Sequence, residues 1–174
     1  ARALGSEPLG VYSYTYTIAM YFTYFILLGL NQYGNREVAK ARGDRRALSK
    51  TFWSIYLGQA SIGTVVSAIY LIYAFAQSDA MRIYALIWFL WLFAEIADIS
   101  WLLYGLEEFR IITIRNVVIR IAVVAGIFLL VKQPADLWLY CLLQAVSFVL
   151  NSVTLWLLAR KRIDWCTVSV PDIL

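Results

Sequence analysis

The sequence has no histidine, two cysteines and three prolines among its 174 residues. Without histidine, and with two cysteines far apart in the chain, a zinc site, a Cys–His catalytic pair and a disulfide framework have little support. Charged residues are scarce as well, at 15%, whereas a soluble domain has roughly 25%. Three prolines, nine glycines and no low-complexity tract argue against a disordered or fibrous chain. These shortages exclude an ordinary soluble globular domain.

Apolar residues take the place of the missing charge, because 62% of the chain is hydrophobic and the mean hydropathy is +0.71. A transmembrane helix needs about 20 mostly apolar residues. We therefore predict an all-α fold, a polytopic transmembrane helix bundle. Its five predicted spans are residues 11–30, 51–76, 83–105, 111–131 and 138–159.

Basic residues are distributed unevenly over the predicted connections. The connection 31–50 holds six, and the segments 106–120 and 160–162 hold three each, whereas Arg2, Arg82 and Lys132 stand alone on the other side. By the positive-inside rule the side with twelve basic residues is cytoplasmic. This predicts an N-terminus outside and a C-terminus in the cytoplasm.

Polar and aromatic side chains recur at helical spacing in four of the five predicted spans. Such a stripe is either a helix-packing face or the wall of a hydrated, aromatic-lined cavity. Four stripes in so small a bundle favour the cavity. The candidate cavity-lining residues from these stripes are Tyr21, Tyr24, Asn31, Gln59, Trp91, Glu95, Asp98, Gln144 and Asn151.

Two acids interrupt the third predicted span. Its eleven Ile, Leu and Phe residues favour insertion by about 3–7 kcal/mol, and the two carboxylates oppose it by about 5–7 kcal/mol. Glu95 is therefore protonated, paired with a base such as Arg120, or turned toward water. The two acids serve as a buried structural pair or take part in cation, proton or substrate binding. Arg120 has three open roles: snorkelling, pairing with an acid, or facing substrate.

The connection 31–50 carries a compact polar string. Tyr33, Gly34, Arg36 and Glu37 combine a glycine with an adjacent pair of opposite charges, which suggests a specific turn. The alternative is a topology determinant that contacts anionic headgroups. The chain has no Walker loop, dinucleotide fingerprint or nucleophile elbow, so we predict no cofactor. A nucleic-acid partner is disfavoured because so much of the sequence is compatible with lipid.

Four strings of the chain resemble a known family. They are RALGSEPLGVYSY (2–14), LGLNQYGNREVAKARGDRRALSKTF (28–52), DISWLLYGLEEFRIITIRNVVIR (98–120) and DLWLYCLLQAVSFVLNS (136–152). They look like the polysaccharide biosynthesis flippases, which carry O-antigen and capsule repeat units across the bacterial inner membrane. These flippases belong to the multidrug/oligosaccharidyl-lipid/polysaccharide exporter superfamily.

The resemblance implies 12 to 14 spans in two lobes, which move a polyprenyl-pyrophosphate-linked oligosaccharide by alternating access. The chain would then be part of the N-terminal lobe, with the first span and the second lobe missing. It would be a transporter and not an enzyme. Its implied partners are a lipid-linked oligosaccharide, membrane lipids, a proton or cation gradient and a polysaccharide polymerase.

Residue by residue, the resemblance makes Arg115 or Arg120 a candidate for attracting the diphosphate, with Asn116 beside them. Tyr33, Gly34, Arg36 and Glu37 match the family's cytoplasmic turn, and Gly105 and Glu107 match the exit of the third span. Two other functions stay open. A drug/cation antiporter of the same superfamily would use the intramembrane acids, and a non-transporting membrane scaffold would use the stripes as packing faces.

Overall fold

The computed structural model describes residues 6–165, and this part of the chain is helical with no strand. The finding confirms the predicted all-α bundle. The helices are α1 (Ser6–Leu27), α2 (Leu30–Ala41), α3 (Arg45–Ala76), α4 (Asp79–Ile96), α5 (Ser100–Gly105), α6 (Phe109–Leu130) and α7 (Leu137–Ala159), with a 3-10 turn at Pro134–Asp136.

Four helical segments are long and apolar enough to cross a membrane. They are Arg45–Ala76, Asp79–Gly105, Phe109–Leu130 and Pro134–Ala159, and they correspond to four of the five predicted spans. Helix α1 has 22 residues and is about 33 Å long, but its tyrosines and threonines make it less apolar. Its crossing of the membrane stays a prediction.

Helix α3 is longer than the span predicted for it. It begins at Arg45 instead of residue 51, where Asp44 Oδ1 accepts a hydrogen bond from the Arg46 backbone N–H at 2.8 Å. Its 32 residues extend about 48 Å, whereas the hydrocarbon core of a bilayer is about 30 Å thick. About 20 of these residues suffice to cross that layer, so the basic start of α3 is not needed within it.

The connection 31–50 is largely a helix and not the predicted turn. The chain turns earlier, at Leu28 and Gly29, which have φ values of 37° and 79°. Helix α2 then presents one small-residue face to α5, and a Cβ added to Gly34 would lie 2.7 Å from the Trp101 ring. Because hydrophobic residues recur on this face of a polar segment, the segment folds as an amphipathic helix.

The third predicted span is broken into α4 and α5. The break at residues 97–99 frees backbone carbonyls that an unbroken helix would satisfy, and such groups need partners inside a membrane. The Gln59 Nε2 donates to the carbonyl oxygens of Glu95 at 3.0 Å, Ile96 at 3.2 Å and Asp98 at 2.8 Å. One buried amide from α3 thus stabilises the interrupted backbone.

Helix α4 is the centre of the bundle and packs against α1, α3 and α7. One apolar cluster lies around Trp88, and a second lies around Phe52 and Trp101 near the α5 end. Helix α6 packs mainly on α7 and has few buried residues. This loose packing leaves open space between α6 and the broken helix.

The three basic segments meet at one end of the bundle, which we name the basic end. Three ion pairs join these segments. Arg42, in the turn after α2, pairs with Glu107 in the α5–α6 turn. Arg45, at the start of α3, pairs with Asp164 after α7, and Arg162 after α7 pairs with Glu108 in the α5–α6 turn. That the basic end is cytoplasmic stays a prediction, and residues 1 and 174, whose sides of the membrane were predicted, lie outside the described residues.

Candidate functional site

A cavity of about 530 Å³ opens beside the helix break, between α4–α5, α6 and α7. Its walls are rich in polar side chains, although three apolar helices form it. The lining residues are Glu95, Asp98, Ser100, Tyr104, Arg115, Asn116, Val117, Ile119, Arg120, Ser147, Phe148, Asn151 and Ser152.

The acidic wall of the cavity is held by α4 and the break. Glu95 Oε2 accepts a hydrogen bond from Trp91 Nε1 at 3.1 Å, and Asp98 Oδ1 accepts one from the Ser100 backbone N–H at 2.8 Å. The Trp91 ring is itself stacked on Phe148, with centroids 4.6 Å apart. Both carboxylates are therefore fixed in orientation while they face the cavity.

The basic wall comes from α6. Arg115 donates from Nη2 to Asn116 Oδ1 at 2.8 Å and from Nε to the same oxygen at 3.2 Å. Arg120 is exposed and makes no ion pair with any residue from 6 to 165, so it is not the partner of Glu95 in this structure. A guanidinium offers paired N–H donors that match phosphate oxygens. The basic wall can therefore bind an anion.

Asn151 on α7 adds a polar group that its surroundings do not satisfy. Its Nδ2 donates to the Ser147 carbonyl at 2.8 Å, but its Oδ1 is buried without a hydrogen-bond partner in the described structure. Buried polar atoms are normally hydrogen-bonded. The described structure therefore leaves one acceptor of the Asn151 amide unsatisfied beside the cavity.

The described residues contain no group of three or more side chains of the types that bind metals. Glu95 and Asp98 are two carboxylates on one wall, with Arg115 and Arg120 on another. This composition suits a ligand that carries both anionic and hydroxyl groups better than a tightly held metal ion.

The structure brings half of the predicted cavity residues together. Those that line the cavity are Glu95, Asp98, Arg115, Asn116, Arg120 and Asn151, and those that do not are Tyr21, Tyr24, Asn31, Gln59, Trp91 and Gln144.

The placement of Gln59 in a cavity wall is wrong, because its side chain is fully buried and bonded to backbone and to Trp101 Nε1. Trp91 is 6% exposed and lies behind Glu95, to which its Nε1 donates a hydrogen bond. Tyr21 and Tyr24 are exposed on α1. Asn31 lies at the start of α2 and Gln144 beside Tyr140 on α7.

The polar stripe of α3 is a helix-packing face and not a cavity wall. A Cβ added to Gly63 would lie 2.5 Å from Ile96 Cγ1, so α3 and α4 approach closely there. Tyr70 is fully buried and donates to the Ala85 carbonyl at 3.0 Å. For this stripe the packing interpretation is correct.

Sequence reasoning missed several lining residues that follow from the break. Ser100 and Tyr104 reach the cavity because α5 restarts there, whereas a continuous helix gives no reason to choose them. Ser147 is different, because it belongs to the polar stripe of the last predicted span and its spacing of four residues from Asn151 places both on one helix face.

The residues predicted to form a turn with a conformational role lie away from the cavity. Tyr33, Gly34, Arg36 and Glu37 are in α2. Glu37 Oε1 accepts hydrogen bonds from Lys40 Nζ at 2.8 Å and Arg36 Nε at 3.2 Å. The hydrogen bond from Lys40, with the nearby charges, lowers the pKa of Glu37 below its ordinary value.

Gly105 and Glu107 lie at the end of α5, the short helix that packs against α2. A Cβ added to Gly105 would lie 2.5 Å from Val38 Cγ1. Glu107 adopts φ 62° in the turn between α5 and α6, so the chain leaves the broken helix at this point.

Comparison with known proteins gives two matches to the sequence. A profile of a family described as "Polysaccharide biosynthesis protein" matches residues 1–172. A protein of Escherichia coli (strain K12) named "Putative O-antigen transporter" is 22% identical over 139 residues, which cover 78% of this chain and 33% of that protein. The chain thus spans about one third of the length of this relative. No solved structure matches the chain significantly.

Proposed function

We propose, since the chain belongs to the polysaccharide biosynthesis protein family, that it forms part of a transporter that moves a polyprenyl-pyrophosphate-linked oligosaccharide across the bacterial inner membrane. In this proposal the cavity receives the polar head of the lipid, and the polyprenyl chain stays in the bilayer. Alternating access would come from movement of this helix bundle against further helices, since the relative is about three times as long as the matched region.

The observation that carries the proposal is a basic wall in a cavity formed by helices that are long and apolar enough to cross a membrane. Arg115 and Arg120 face the same space from α6, which is one of the most apolar helices of the chain. Charged residues within a span are costly and mark pathways for polar ligands. A diphosphate would pair with these guanidinium groups, and the neighbouring Asn116 and Asn151 would add polar contacts for the sugar.

Complementation tests this proposal. The complete gene product that contains this chain is expressed in a strain that lacks its own O-antigen flippase, and surface polysaccharide is measured. We expect Arg120→Ala and Arg115→Ala to lower surface polysaccharide at least tenfold, because each removes a charged hydrogen-bond donor worth about 1.5–3 kcal/mol. Arg110→Ala is the matched control, since Arg110 is on α6 but does not line the cavity.

Full polysaccharide output from both cavity variants, at protein levels equal to wild type, would remove the diphosphate role. Failure of the wild-type protein to restore any polysaccharide, with the protein present in the membrane, would count against this substrate class.

A second candidate is cation-coupled transport, and the fixed pair of carboxylates favours it. Glu95 and Asp98 lie on one wall of the same cavity, three residues apart, and each is oriented by a hydrogen bond. Coupling to a proton or cation gradient predicts that Glu95→Gln with Asp98→Asn alters the dependence of transport on external pH. An unchanged pH profile for polysaccharide export, and unchanged resistance to cationic drugs, would remove the acids from the mechanism.

A further inference from the structure

An apolar groove lies between α4 and α7. Its volume is about 320 Å³, and its exposed rims are Phe93 on α4 with Val153 and Leu157 on α7. It is a separate space from the polar cavity, because the Ser152 hydroxyl donates to the Ala94 carbonyl at 2.7 Å and closes the seam between the two helices. The groove therefore belongs to the outer surface of the bundle.

The floor of the groove is apolar although it contains polar residue types. The Ser152 hydroxyl is satisfied by α4, and Trp156 Nε1 donates to the Ala97 carbonyl at 2.9 Å. Both polar atoms thus point away from the groove and leave only hydrocarbon and ring surface facing it. Such a surface has no polar group with which to hold water or a sugar.

One end of the groove reaches the basic end of the bundle at Arg160. This residue also borders a second cavity, of about 450 Å³, whose walls are Trp53, Trp156, Ile163, Asp164 and Trp165. Asp164 is already paired with Arg45 at 2.7 Å. Arg160 is exposed and has no ion pair within the described chain, so the end of the groove carries an uncompensated positive charge.

The dimensions of the groove match one leaflet of a bilayer. From Val149 to Arg160, α7 rises about 16 Å, and half of a hydrocarbon core is about 15 Å. The indole rings of Trp53 and Trp165, stacked with centroids 4.5 Å apart, lie at the charged end, where tryptophan is enriched at membrane interfaces. The groove therefore matches a phospholipid along its length. The apolar floor corresponds to an acyl chain, and the cation and indole rings at one end correspond to the headgroup and the interface.

We infer that this groove is a binding site for a glycerophospholipid with an anionic headgroup, with one acyl chain between α4 and α7 and the phosphate on Arg160. Net charge selects the headgroup, because Arg160 has no carboxylate partner in the described chain and the phosphate of an anionic lipid, unlike that of phosphatidylcholine, has no cation of its own to neutralise it. The inference does not rest on the proposed transport function, since the groove and the polar cavity lie on opposite sides of the α4–α7 seam.

Fluorescence quenching tests the site in the purified full chain. The protein is reconstituted in dioleoylphosphatidylcholine with increasing dioleoylphosphatidylglycerol brominated in its acyl chains, which quenches nearby tryptophans such as Trp156. We expect phosphatidylglycerol to be preferred over phosphatidylcholine, and Arg160→Ala to reduce that preference about tenfold. Lys161→Ala is the matched control, because Lys161 is an adjacent exposed cation that does not line the groove.

A second variant separates the acyl-chain contact from the headgroup contact. Val153→Phe narrows the groove and should weaken quenching by brominated lipids of either headgroup, with helix content unchanged by circular dichroism. Equal loss of preference in Arg160→Ala and Lys161→Ala would overturn the inference.

The other possible occupants are also outcomes of this experiment. Displacement of the brominated lipid by undecaprenyl phosphate at lower concentration than by unlabelled phosphatidylglycerol would overturn it in favour of a polyprenyl lipid. Loss of quenching as the protein-to-lipid ratio rises would overturn it in favour of a second copy of the chain.

Discussion

Replacing Gln59 with Leu should destabilise the bundle, because the Gln59 side chain satisfies the backbone of the helix break. The two amide hydrogens serve three carbonyl oxygens of the helix break, and Oε1 accepts from Trp101 Nε1 at 3.1 Å. This amounts to three hydrogen bonds in a fully buried place. At about 0.6–1.7 kcal/mol for each such bond within a membrane, the expected loss is about 2–5 kcal/mol.

Unfolding of the purified chain in mixed micelles, with SDS as denaturant and helix content as the signal, measures this loss. Gln144→Leu is the matched control, since Gln144 is a half-buried glutamine of another span whose Nε2 makes a single long hydrogen bond of 3.4 Å to Tyr140. We expect the control to change the unfolding free energy by about 0.5 kcal/mol or less. If Gln59→Leu lowers the unfolding free energy no more than the control does, the three carbonyls find other partners and Gln59 does not stabilise the break.

Two further predictions concern α2. Gly34→Val should cost about 1–3 kcal/mol in unfolding free energy, because a Cβ at this position would lie 2.7 Å from the Trp101 ring. Gly43→Val, where a Cβ meets nothing within 4 Å, should have little effect, and equal effects would contradict the close packing. The pKa of Glu37 is lowered, so its hydrogen bond with Lys40 should stabilise the protein at pH values above 4.5, the ordinary pKa of this carboxyl group. This stabilisation should be lost as the pH falls through the lowered pKa of Glu37. Stability profiles of wild type and Glu37→Gln should therefore converge in acid; a constant difference at all pH values would contradict the assignment.

The fold was predictable from sequence because hydrophobic length decides it. Uncharged runs located α3 and α7, and the clustering of basic residues correctly placed the connection 31–50, the α5–α6 turn and the segment after α7 on one side. The helix break was not predictable, because residues 97–99 contain neither proline nor glycine. It depends on a side chain supplied by α3, 36 to 39 residues earlier in the chain.

The candidate site divides in the same way. Sequence could indicate Arg115, Arg120 and Glu95 as candidate site residues, because a charge within an apolar run is costly and marks a pathway for polar ligands. Gln59 was misplaced because helical spacing shows which face is polar but not whether that face meets a cavity or a neighbouring backbone. Only the tertiary contact with the broken helix distinguishes the two.

Two close contacts, each at a glycine, join α2 and α5 so tightly that the two helices should move together. Helix α5 has six residues and is about 9 Å long. Ser100, at one end, touches the cavity, while Gly105, at the other, is locked against Val38 on α2. A ligand that changed the conformation of the break would therefore also move α2, because the close glycine contacts couple the two helices. A fluorophore at the exposed Gln32 on α2 should then report whether the cavity is occupied.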